Sequence, residues 1–417
     1  MQIKCILNRV QKFQSFVYKS ARLIEEADVV VLLVDIIARA NSWLICSTCG
    51  RSCRGYDTLK ARRFEFVPIW GIKVFFIYVM RRCDCPDCGV VVEAVPWAEG
   101  KQQLTKTYAW FLAGWAKRMS WKEVARSFKT TWDHVFQAVE MAVRWGLEHR
   151  DIETVTAVGV DEVQWQHGQK YLTVVYQIDK ECKRLLWVGR ERTEETLKEF
   201  FTSFGTKRSE ALKFVCSDMW QPYLNVISKM AAGALHVLDR FHIVAKMNKA
   251  LDEVRAAETK DLKAKGYEPV LKKTRWCLLK RPENLTEKQG TTLADLLRYN
   301  LKSVRAYLLK EEFGFFWDYI YPARAGTFLT DWCKKAMRSR IDPMKKIAQM
   351  LRTHKCQILN WFKARDVISL GAVEGLNNKE KLVTRKAYGF RTYKAIEIAL
   401  YHTLGALPEL KTTHRFC

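Results

Sequence analysis

The stretch TVTAVGVD, residues 154–161, opens the region that decides the fold of this 417-residue chain. It is rich in β-branched residues, and so is YLTVVYQI at 171–178, with Gly168 in the turn between them. These patterns predict two neighbouring antiparallel strands and a short third strand at 184–188. Downstream, the pattern predicts a helix at 194–204, a strand at 212–216, a helix at about 221–230, a strand at 234–238 and a long helix from near Phe241.

The order of these elements indicates a fold class. Three consecutive strands, then helix, strand, helix, strand and helix, is the order of a ribonuclease H-like fold, a mixed sheet with helices on its faces. Flavodoxin-like and Rossmann folds also alternate strands and helices, but the antiparallel opening disfavours both. No GxGxxG pattern follows the first strand, which further disfavours a dinucleotide site. We therefore predict a multidomain α/β protein with a ribonuclease H-like core.

Three acidic residues stand at the edges of recognisable segments. Asp161 and Asp218 are predicted to end buried strands, and Glu374 begins a basic helical stretch. Mg²⁺ prefers carboxylate oxygens, and two such ions about 4 Å apart can drive phosphodiester cleavage without a protein nucleophile. If the fold brings the three carboxylates together, they would form such a site. Glu162 could take the place of Asp161, and Asp239 that of Asp218, so the residues alone leave both choices open.

The charge of the chain indicates a polyanionic partner. Lys and Arg number 70 against 45 Asp and Glu, which gives a formal net charge of +25. The basic residues are spread along the chain, which favours an extended nucleic-acid-binding surface over a generally basic protein without a specific partner. No signal peptide or membrane span is visible, since the most apolar run, 29–37, is short and interrupted by Asp35. We expect a soluble, cytoplasmic protein without a membrane partner.

Six of the 13 cysteines cluster between positions 46 and 88. CSTCG at 46–50 and CPDCG at 85–89 have the spacing of a tetrahedral zinc site, and the glycine after each pair suits a tight turn. Four thiolates leave no open coordination position, so the Zn²⁺ would be structural. Cys53 and Cys83 could each replace a ligand, and buried reduced cysteines without metal are the alternative. The predicted zinc ligands are Cys46, Cys49, Cys85 and Cys88.

A helix-turn-helix is predicted between the cysteine cluster and the α/β region. Ser120 is a candidate N-cap, and Glu123 would complete a capping box for a short helix that ends near Phe128. After a tight turn, a second helix runs from Thr131 to about Arg144. In a helix-turn-helix the second helix enters the major groove of DNA. A plain helical hairpin between two domains is the alternative. The predicted DNA-binding residues are Lys122, Thr131, Trp132, His134 and Gln137.

The helix that begins near Glu374 carries further polar and basic residues. Lys and Arg side chains so close to a catalytic acid would suit the DNA backbone, and amides would suit the flanking strand. The alternative is an ordinary solvated helix face. The predicted DNA-binding residues here are Asn377, Asn378, Lys381 and Arg385.

The chain resembles the ISL3 family of DDE transposases of bacterial insertion sequences over nearly its whole length. The N-terminal CxxC pairs resemble the zinc-binding segment of that family, and residues 101–150 resemble its helix-turn-helix. The motifs that carry the resemblance in the rest of the chain are VGVDE (158–162), GQKYLTVVYQID (168–179), SDMWQPY (217–223), LDRFHIV (238–244), TRWCLLKRPENLT (274–286) and EGLNNKEKLVTRKAYGFRTYKAIEIAL (374–400).

The resemblance implies a mechanism and a set of catalytic residues. Asp161, Asp218 and Glu374 would hold two Mg²⁺ or Mn²⁺ ions, and His242, in a DxxH element, would act near the scissile phosphate. The enzyme would bind the terminal inverted repeats of its element and target DNA, both double-stranded. It would cleave and transfer DNA strands as a homodimer or higher oligomer, without a covalent protein–DNA intermediate. It would be a cytoplasmic, nucleoid-associated protein of a bacterium. The alternative is a sequence-specific DNA-binding regulator derived from a transposase.

The sequence also predicts a division of the chain into domains. Composition and periodicity change near residues 100, 150 and 265, and the segment after 266 reads as almost wholly helical. The predicted parts are a zinc-binding domain (1–100), a helix-turn-helix domain (101–150), the ribonuclease H-like core (151–265), a large helical insertion (266–365) and the core helices that carry the third acid (366–417).

Overall fold

A computed structural model describes residues 3–166, 168, 170–268, 270–369 and 371–410. The chain forms two compact units. The first contains the residues up to Asp151 together with those from Glu380 onward, and the second contains Ile152–Lys379. The five-part division proposed above stays a prediction. Gln169, which belongs to one of the family-like motifs, and the last seven residues of the predicted 366–417 part lie outside the described residues.

The N-terminal part of the first unit combines a sheet with three helices that follow it. Its elements are α1 (Ile3–Val10), β1 (Phe16–Glu26), β2 (Val29–Ala38), β3 (Leu44–Ile45), β4 (Ser52–Ile69), β5 (Ile72–Cys85), β6 (Gly89–Val92), α2 (Lys106–Ala116), α3 (Trp121–Ser127) and α4 (Trp132–His149).

The sheet of the first unit has the strand order β1-β2-β5-β4-β3, with β6 paired to β5. β2 and β5 run parallel, and the other pairs are antiparallel. An aromatic core forms against it around Trp97, which is fully buried. The Trp97 ring packs edge-on against Phe16, Phe64 and Tyr78, with ring centroids 4.9, 6.0 and 5.3 Å away. Edge-to-face aromatic pairs of this kind stabilise a core beyond the area that they bury.

The helices predicted for the helix-turn-helix segment are present. The Ser120 hydroxyl accepts from the Glu123 N–H at 3.3 Å, and Glu123 Oε2 accepts from the Ser120 N–H at 2.8 Å, which confirms the capping box. Lys129 takes a left-handed conformation, with φ of 50°, in the turn before α4. α4 extends to His149, beyond the predicted end, with Val135 buried on its inner face. That these helices read DNA stays a prediction.

The α/β part of the second unit follows the predicted order of elements with one addition, a short helix at Thr206–Ala211. They are β7 (Ala157–Gln166), β8 (Lys170–Ile178), β9 (Lys183–Arg190), α5 (Glu194–Phe204), α6 (Thr206–Ala211), β10 (Phe214–Ser217), α7 (Gln221–Met230), β11 (Leu235–Leu238) and α8 (Arg240–Ala264). The sheet order is β11-β10-β7-β8-β9. β7, β8 and β9 form the predicted antiparallel meander, and β10 and β11 run parallel to β7.

One boundary differs from its prediction in a way that matters for the site. The expectation that a strand ends at Asp161 is wrong, because β7 continues to Gln166. Asp161 pairs with Val174 in the middle of the β7–β8 hairpin. The physical reason is that β8 supplies hydrogen-bond partners along the whole of β7, so an acidic residue does not stop the strand. The parallel pairing with β10, in contrast, ends at Gly159 opposite Cys216.

The remaining elements are helical, as predicted for this segment. They are α9 (Arg275–Leu279), α10 (Glu287–Leu296), α11 (Lys302–Gly314), α12 (Pro322–Arg338), α13 (Asp342–Thr353), α14 (Lys355–Ala364), α15 (Ala372–Lys386) and α16 (Tyr393–Leu404). Residues of α15 up to Lys379 belong to the second unit, and the later ones and α16 belong to the first. Over the part of the chain that the structure describes, no helix combines the length and apolarity needed to cross a membrane.

Candidate functional site

The sheet of the second unit brings acidic residues to one edge. Since β10 pairs with β7 only as far as Gly159, Asp161 lies just beyond the end of the parallel ladder. Asp218 follows the last residue of β10, and Asp239 follows the last residue of β11. The carboxyl ends of parallel strands meet at the same edge of a sheet. Asp161 and Asp239 are buried, with exposed fractions of 8% and 7%.

A histidine lies between two of these carboxylates. Asp239 caps α8 by accepting from the Phe241 N–H at 2.8 Å, which orients the first turn of the helix. His242 Nε2 then lies 3.5 Å from Asp161 Oδ1 and 4.0 Å from Asp239 Oδ2. The hydrogen bond with Asp161 and the nearby carboxylates raise the pKa of His242 to about 9. His242 is therefore an imidazolium at neutral pH, and burial raises the pKa of Asp239 to about 6.

An arginine joins two further acids at this edge. Arg192 Nε lies 2.7 Å from Glu162 Oε1, and its Nη2 lies 3.2 Å from Asp218 Oδ2. The guanidinium carbon lies 4.4 Å from the centroid of the Trp220 ring, and Asp218 Oδ1 accepts from the Trp220 N–H at 2.9 Å. Burial and the charge of Asp218 raise the pKa of Glu162 to about 7. Arg192 thus holds two acids that would otherwise repel each other.

The helix that carries Glu374 is tied to the sheet by an amide. Asn377 Nδ2 donates to Asp161 Oδ2 at 2.5 Å, and Asn377 Oδ1 accepts from the Tyr176 hydroxyl at 2.8 Å. Glu374 lies three residues earlier in α15, so the two side chains share a face of the helix. Glu374 is exposed, and its charge is among the groups that raise the pKa of Asp239. The helix therefore presents Glu374 toward the acids of the sheet edge.

A glycine allows this helix to approach the sheet. A Cβ atom on Gly159 would lie only 2.5 Å from Val373 Cγ2, so an L side chain there would displace Val373. The segment before α15 is also anchored to β8, because the Ser369 N–H donates to the Ile178 carbonyl at 3.0 Å. Val373 is 2% exposed and directly precedes Glu374. The position of the third acid therefore depends on a missing side chain in the central strand.

We expect Gly159→Ala to reduce strand cleavage by about 100-fold or more, because displacing Val373 shifts Glu374 and misplacements of about 1 Å have effects of this size. The overpacked core would also lose about 1–3 kcal/mol of stability. Cleavage rates and thermal unfolding would be measured together. Gly290→Ala is the matched control, since a Cβ there meets no atom within 4 Å. Normal cleavage by the Gly159 variant would contradict this account of how Glu374 is positioned.

The carboxylates at this edge suit a divalent cation. Each raised pKa has neighbouring negative charge among its causes: Asp218 and Asp161 act on Glu162, and Asp161 and Glu374 act on Asp239. Such an excess of buried oxygen ligands is the donor set that Mg²⁺ and Mn²⁺ prefer. Among the described residues, these acids do not form a group whose ligand atoms all lie within 4.8 Å of one another. Arg192 contacts both Glu162 and Asp218, and His242 contacts both Asp161 and Asp239.

The raised pKa values of Glu162 and His242 predict that both groups contribute less stability as the pH rises, before divalent metal is added. A raised folded-state pKa contributes stability that is complete below the ordinary value and is lost as the pH passes the folded value. The loss spans pH 4.5 to about 7 for Glu162 and pH 6.5 to about 9 for His242. Buried His236 and His402 have lowered pKa values and oppose this trend below pH 6.5, so each contribution is measured as a difference between wild type and variant. The thermal midpoint of Glu162→Gln relative to that of the wild type should rise between pH 5 and 7, and that of His242→Gln between pH 7 and 9. Differences that stay constant or fall as the pH rises would contradict the prediction.

Four cysteines of the first unit form a compact cluster. The Sγ atoms of the two predicted CxxC pairs all lie within 4.8 Å of one another and could hold a metal ion. Gly50 and Gly89 have φ of 74° and 71°, the left-handed conformation that the tight turns require. Backbone N–H groups in the first turn lower the pKa of the Cys46 thiol to about 6. Cys53 and Cys83 are buried beside this group but are not members of it. The members are Cys46, Cys49, Cys85 and Cys88.

Two predicted DNA-reading residues of the first unit are engaged within the unit. Thr131 is the N-cap of α4 and accepts from the His134 N–H at 3.1 Å. His134 Nδ1 lies 2.9 Å from the Thr130 hydroxyl and 3.7 Å from Glu65 Oε2, and burial lowers its pKa. The His134 side chain therefore contacts residues inside the first unit. That either residue binds DNA stays a prediction.

The other three candidates on this segment are exposed. Trp132 is 44% exposed and stacks on Phe136, with ring centroids 5.3 Å apart and planes 9° apart. Lys122 on α3 and Gln137 on α4 are exposed. On α15, Asn378, Lys381 and Arg385 are exposed as well. These side chains are available for a partner, and their contacts with DNA stay predictions.

The structure adds residues that sequence reasoning did not assign. Arg192 lies in the turn after β9, and no local pattern connects it with Glu162 or Asp218. Asn377 was predicted to contact DNA, but both ends of its amide are used on Asp161 and Tyr176. Its spacing of three residues from Glu374 was the one local indication that it faces the same site.

The fold and the site define a multidomain α/β protein with a carboxylate-rich sheet edge and a cysteine cluster that could hold a metal. Residues 158–400 match the model of the ISL3 group of DDE transposases, which is described as "Transposase". Because this match covers more than half of the chain, the chain belongs to the ISL3 family of DDE transposases. Membership in this transposase family implies an enzyme that cleaves or transfers DNA.

Named relatives agree with this assignment. The chain is similar to the transposase for insertion sequence element IS1001 of Bordetella parapertussis, with 29% identity over 351 residues that cover 84% of this chain and 86% of the relative. It is also similar to the transposase for insertion sequence element IS1557 of Mycobacterium tuberculosis, with 28% identity over 405 residues that cover 88% of each chain.

Proposed function

We propose that this chain binds the terminal inverted repeats of its insertion sequence and catalyses divalent-metal-dependent strand cleavage and strand transfer. One observation carries the proposal. Asp161 lies just beyond the end of the parallel β7–β10 ladder, Asp218 follows β10, and Asn377 ties the helix of Glu374 to Asp161. This arrangement supports a site in which three carboxylates, separated widely in sequence, would act together on metal ions in phosphoryl transfer.

We assign the second unit to the ribonuclease H-like class. The order β11-β10-β7-β8-β9, with β8 as the antiparallel strand next to the central one, supports this assignment. The helices α9 to α14 then form an insertion between α8 and α15. In this class of fold the acids of the central strands line one edge of the sheet, so the insertion can vary without disturbing them.

Asp161, Asp218 and Glu374 would hold two Mg²⁺ or Mn²⁺ ions. Bound there, the ions would supply activation of the attacking water or 3′-hydroxyl and positive charge at the leaving oxygen. Arg192 fixes the orientation of Asp218 and neutralises part of the negative charge while no metal is bound. His242 holds a proton at Nε2 beside Asp161, where it could be donated to an oxygen of the scissile phosphate.

The first unit would recognise the DNA ends. Four thiolates at tetrahedral spacing suit a structural Zn²⁺, held by the cysteine cluster. The exposed side chains of Lys122, Trp132 and Gln137 support contact with double-stranded DNA through α3 and α4. Two ends would be paired by a homodimer or larger assembly associated with the nucleoid.

A cleavage assay on a duplex that carries the terminal repeat of the element tests this proposal. With Mg²⁺ or Mn²⁺ we expect cuts at the repeat boundary and joining of the free 3′ end to target DNA, without a covalent protein–DNA adduct. Tight binding to the repeat without cutting in either metal would overturn the proposal in favour of a DNA-binding regulator. Cutting of branched DNA regardless of sequence would overturn it in favour of a nuclease.

A further inference from the structure

Two arginines of the second unit, Arg240 and Arg365, lie against a pair of tryptophans next to the candidate active site. Arg240, the first residue of α8, directly follows Asp239. Its guanidinium carbon lies 5.1 Å from the centroid of the Trp317 ring and 6.0 Å from that of Trp361. The guanidinium carbon of Arg365 lies 5.5 Å from the same Trp361 ring. Two guanidinium groups therefore share one indole.

A third arginine, Arg281, adds to an unbalanced positive charge. Burial lowers the pKa of Arg240, the positive charges of Arg281 and Arg365 lower it further, and the charge of Asp318 acts against them. Across the described ranges, none of these three arginines forms an ion pair with a carboxylate within 4 Å. Arg192 in the same unit, by contrast, is paired with two acids. Like charges held together cost stability, and an anion would relieve that cost.

The tryptophans hold this cluster in place. Trp317 and Trp361 are 3% and 7% exposed, and their rings meet edge-on with centroids 5.1 Å apart. An arginine that stacks on an indole keeps the N–H donors at the edge of its plane, which are the donors that bind phosphate. Arg365 Nη1 makes one long contact, 3.5 Å to the Tyr319 carbonyl. The cluster is thus oriented by stacking and retains donors for a ligand.

We propose that Arg240 and Arg365, with Arg281 adding positive charge, bind a backbone phosphate of the DNA strand that is being cleaved, close to the scissile position. The identification of the anion as DNA rests on the proposed function. The placement rests on Arg240, which is the residue after Asp239 and two before His242, both at the acidic sheet edge. The two regions carry opposite charge. The acids would bind metal ions, and the arginines would bind the adjoining phosphate. The alternative is that stacking on tryptophan is the sole role of the arginines.

The test uses the full chain and measures DNA binding at several salt concentrations. Arg281→Gln and Arg365→Gln remove charge at exposed positions. Each is expected to weaken binding of a terminal-repeat duplex by about tenfold. Each should also reduce the slope of log affinity against log salt, by at most about 0.9, the value for complete loss of one phosphate contact. The matched control is Arg298→Gln, an arginine with an 80% exposed side chain elsewhere in the helical insertion.

A second measurement locates the phosphate. Duplexes with a single neutral methylphosphonate at successive positions would be bound to the wild type and to Arg365→Gln. We expect one or two positions near the cleavage site at which neutralisation weakens the wild type but leaves the variant unchanged, since the contact is already lost. Arg240→Lys, which keeps the charge but loses planar stacking, should show an intermediate loss at the same positions.

The outcomes separate this inference from the proposed function. Normal cleavage with Arg281 and Arg365 variants that bind like the Arg298 control would overturn the phosphate site and leave the transposase mechanism intact. Loss of binding at particular phosphates without any metal-dependent cutting would support the site and overturn the mechanism. Equal losses of DNA binding in the Arg281, Arg365 and Arg298 variants, with no position at which methylphosphonate has a distinct effect, would show that the arginines contribute only general positive charge. That result would overturn the cluster as a phosphate site.

Discussion

Asp218→Asn is expected to lower metal-dependent strand cleavage by about 1,000-fold or more, with DNA binding retained. Asparagine has nearly the same shape and still offers an oxygen to the Trp220 N–H. It removes the negative charge that a divalent ion requires, and about 4 kcal/mol of lost transition-state stabilisation corresponds to a factor of 1,000 in rate. Asp161→Asn and Glu374→Gln should have similar effects. Single-turnover cleavage on a terminal-repeat duplex measures the loss.

Asp331→Asn is the matched control for this experiment, because Asp331 is a 64% exposed acid whose partner among the described residues is Lys334, one turn away. Thermal unfolding of each variant would show whether the fold is kept, since Asp218→Asn also releases Arg192 from one of its partners. If Asp218→Asn cleaves at the wild-type rate while remaining folded, Glu162 or Asp239 carries the role instead. Both acids lie at the same sheet edge, so the alternatives can be tested in the same assay.

Cys85→Ala is expected to abolish metal binding by the cysteine cluster and to unfold much of the first unit. Cys85 is 2% exposed and belongs to the group of four thiols that could hold a metal. Structural zinc contributes about 10–16 kcal/mol of apparent binding free energy in small zinc modules at neutral pH, which equals or exceeds the stability of a typical domain. Metal analysis should fall from one zinc per chain to none, and repeat binding should be lost.

Cys53→Ala provides the comparison, because Cys53 is 4% exposed in the same cluster but is not one of the four. It should keep one zinc per chain and lose only the stability that follows from a small cavity. Retention of zinc by Cys85→Ala together with its loss from Cys53→Ala would show that the ligand set has been assigned wrongly. Loss from both would indicate a site that depends on the packing of all the clustered cysteines.

Local patterns predicted many elements of this protein because their causes are local. The capping box of α3 joins Ser120 to Glu123, three residues away, so it can be read directly. The helix Glu194–Phe204 begins after Thr193, whose hydroxyl accepts from the Thr196 N–H. The CxxCG turns need a left-handed glycine that immediately follows each pair of cysteines. In each case the hydrogen bond or dihedral angle involves residues within one turn.

The candidate site was only partly predictable. The sequence indicates Asp161, Asp218 and Glu374 as candidate site residues. It also predicts that β7 ends at Asp161, because an acidic residue is expected at the end of a buried strand. The structure shows that the strand continues, since β8 pairs along it. The part played by Asn377 was also missed, because a helical amide close to basic residues suggests contact with DNA.

The α/β pattern, the basic character, the cysteine pairs and the resemblance to a transposase family are already present in the amino-acid sequence, because they are properties of neighbouring residues and composition. Which groups contact the acids depends on the folded chain. Asn377 contacts Asp161, which lies 216 residues away in the sequence, and Arg192 contacts Asp218, which lies 26 residues away. Such contacts depend on strand order and on the close packing that Gly159 permits, so a local sequence pattern does not predict them.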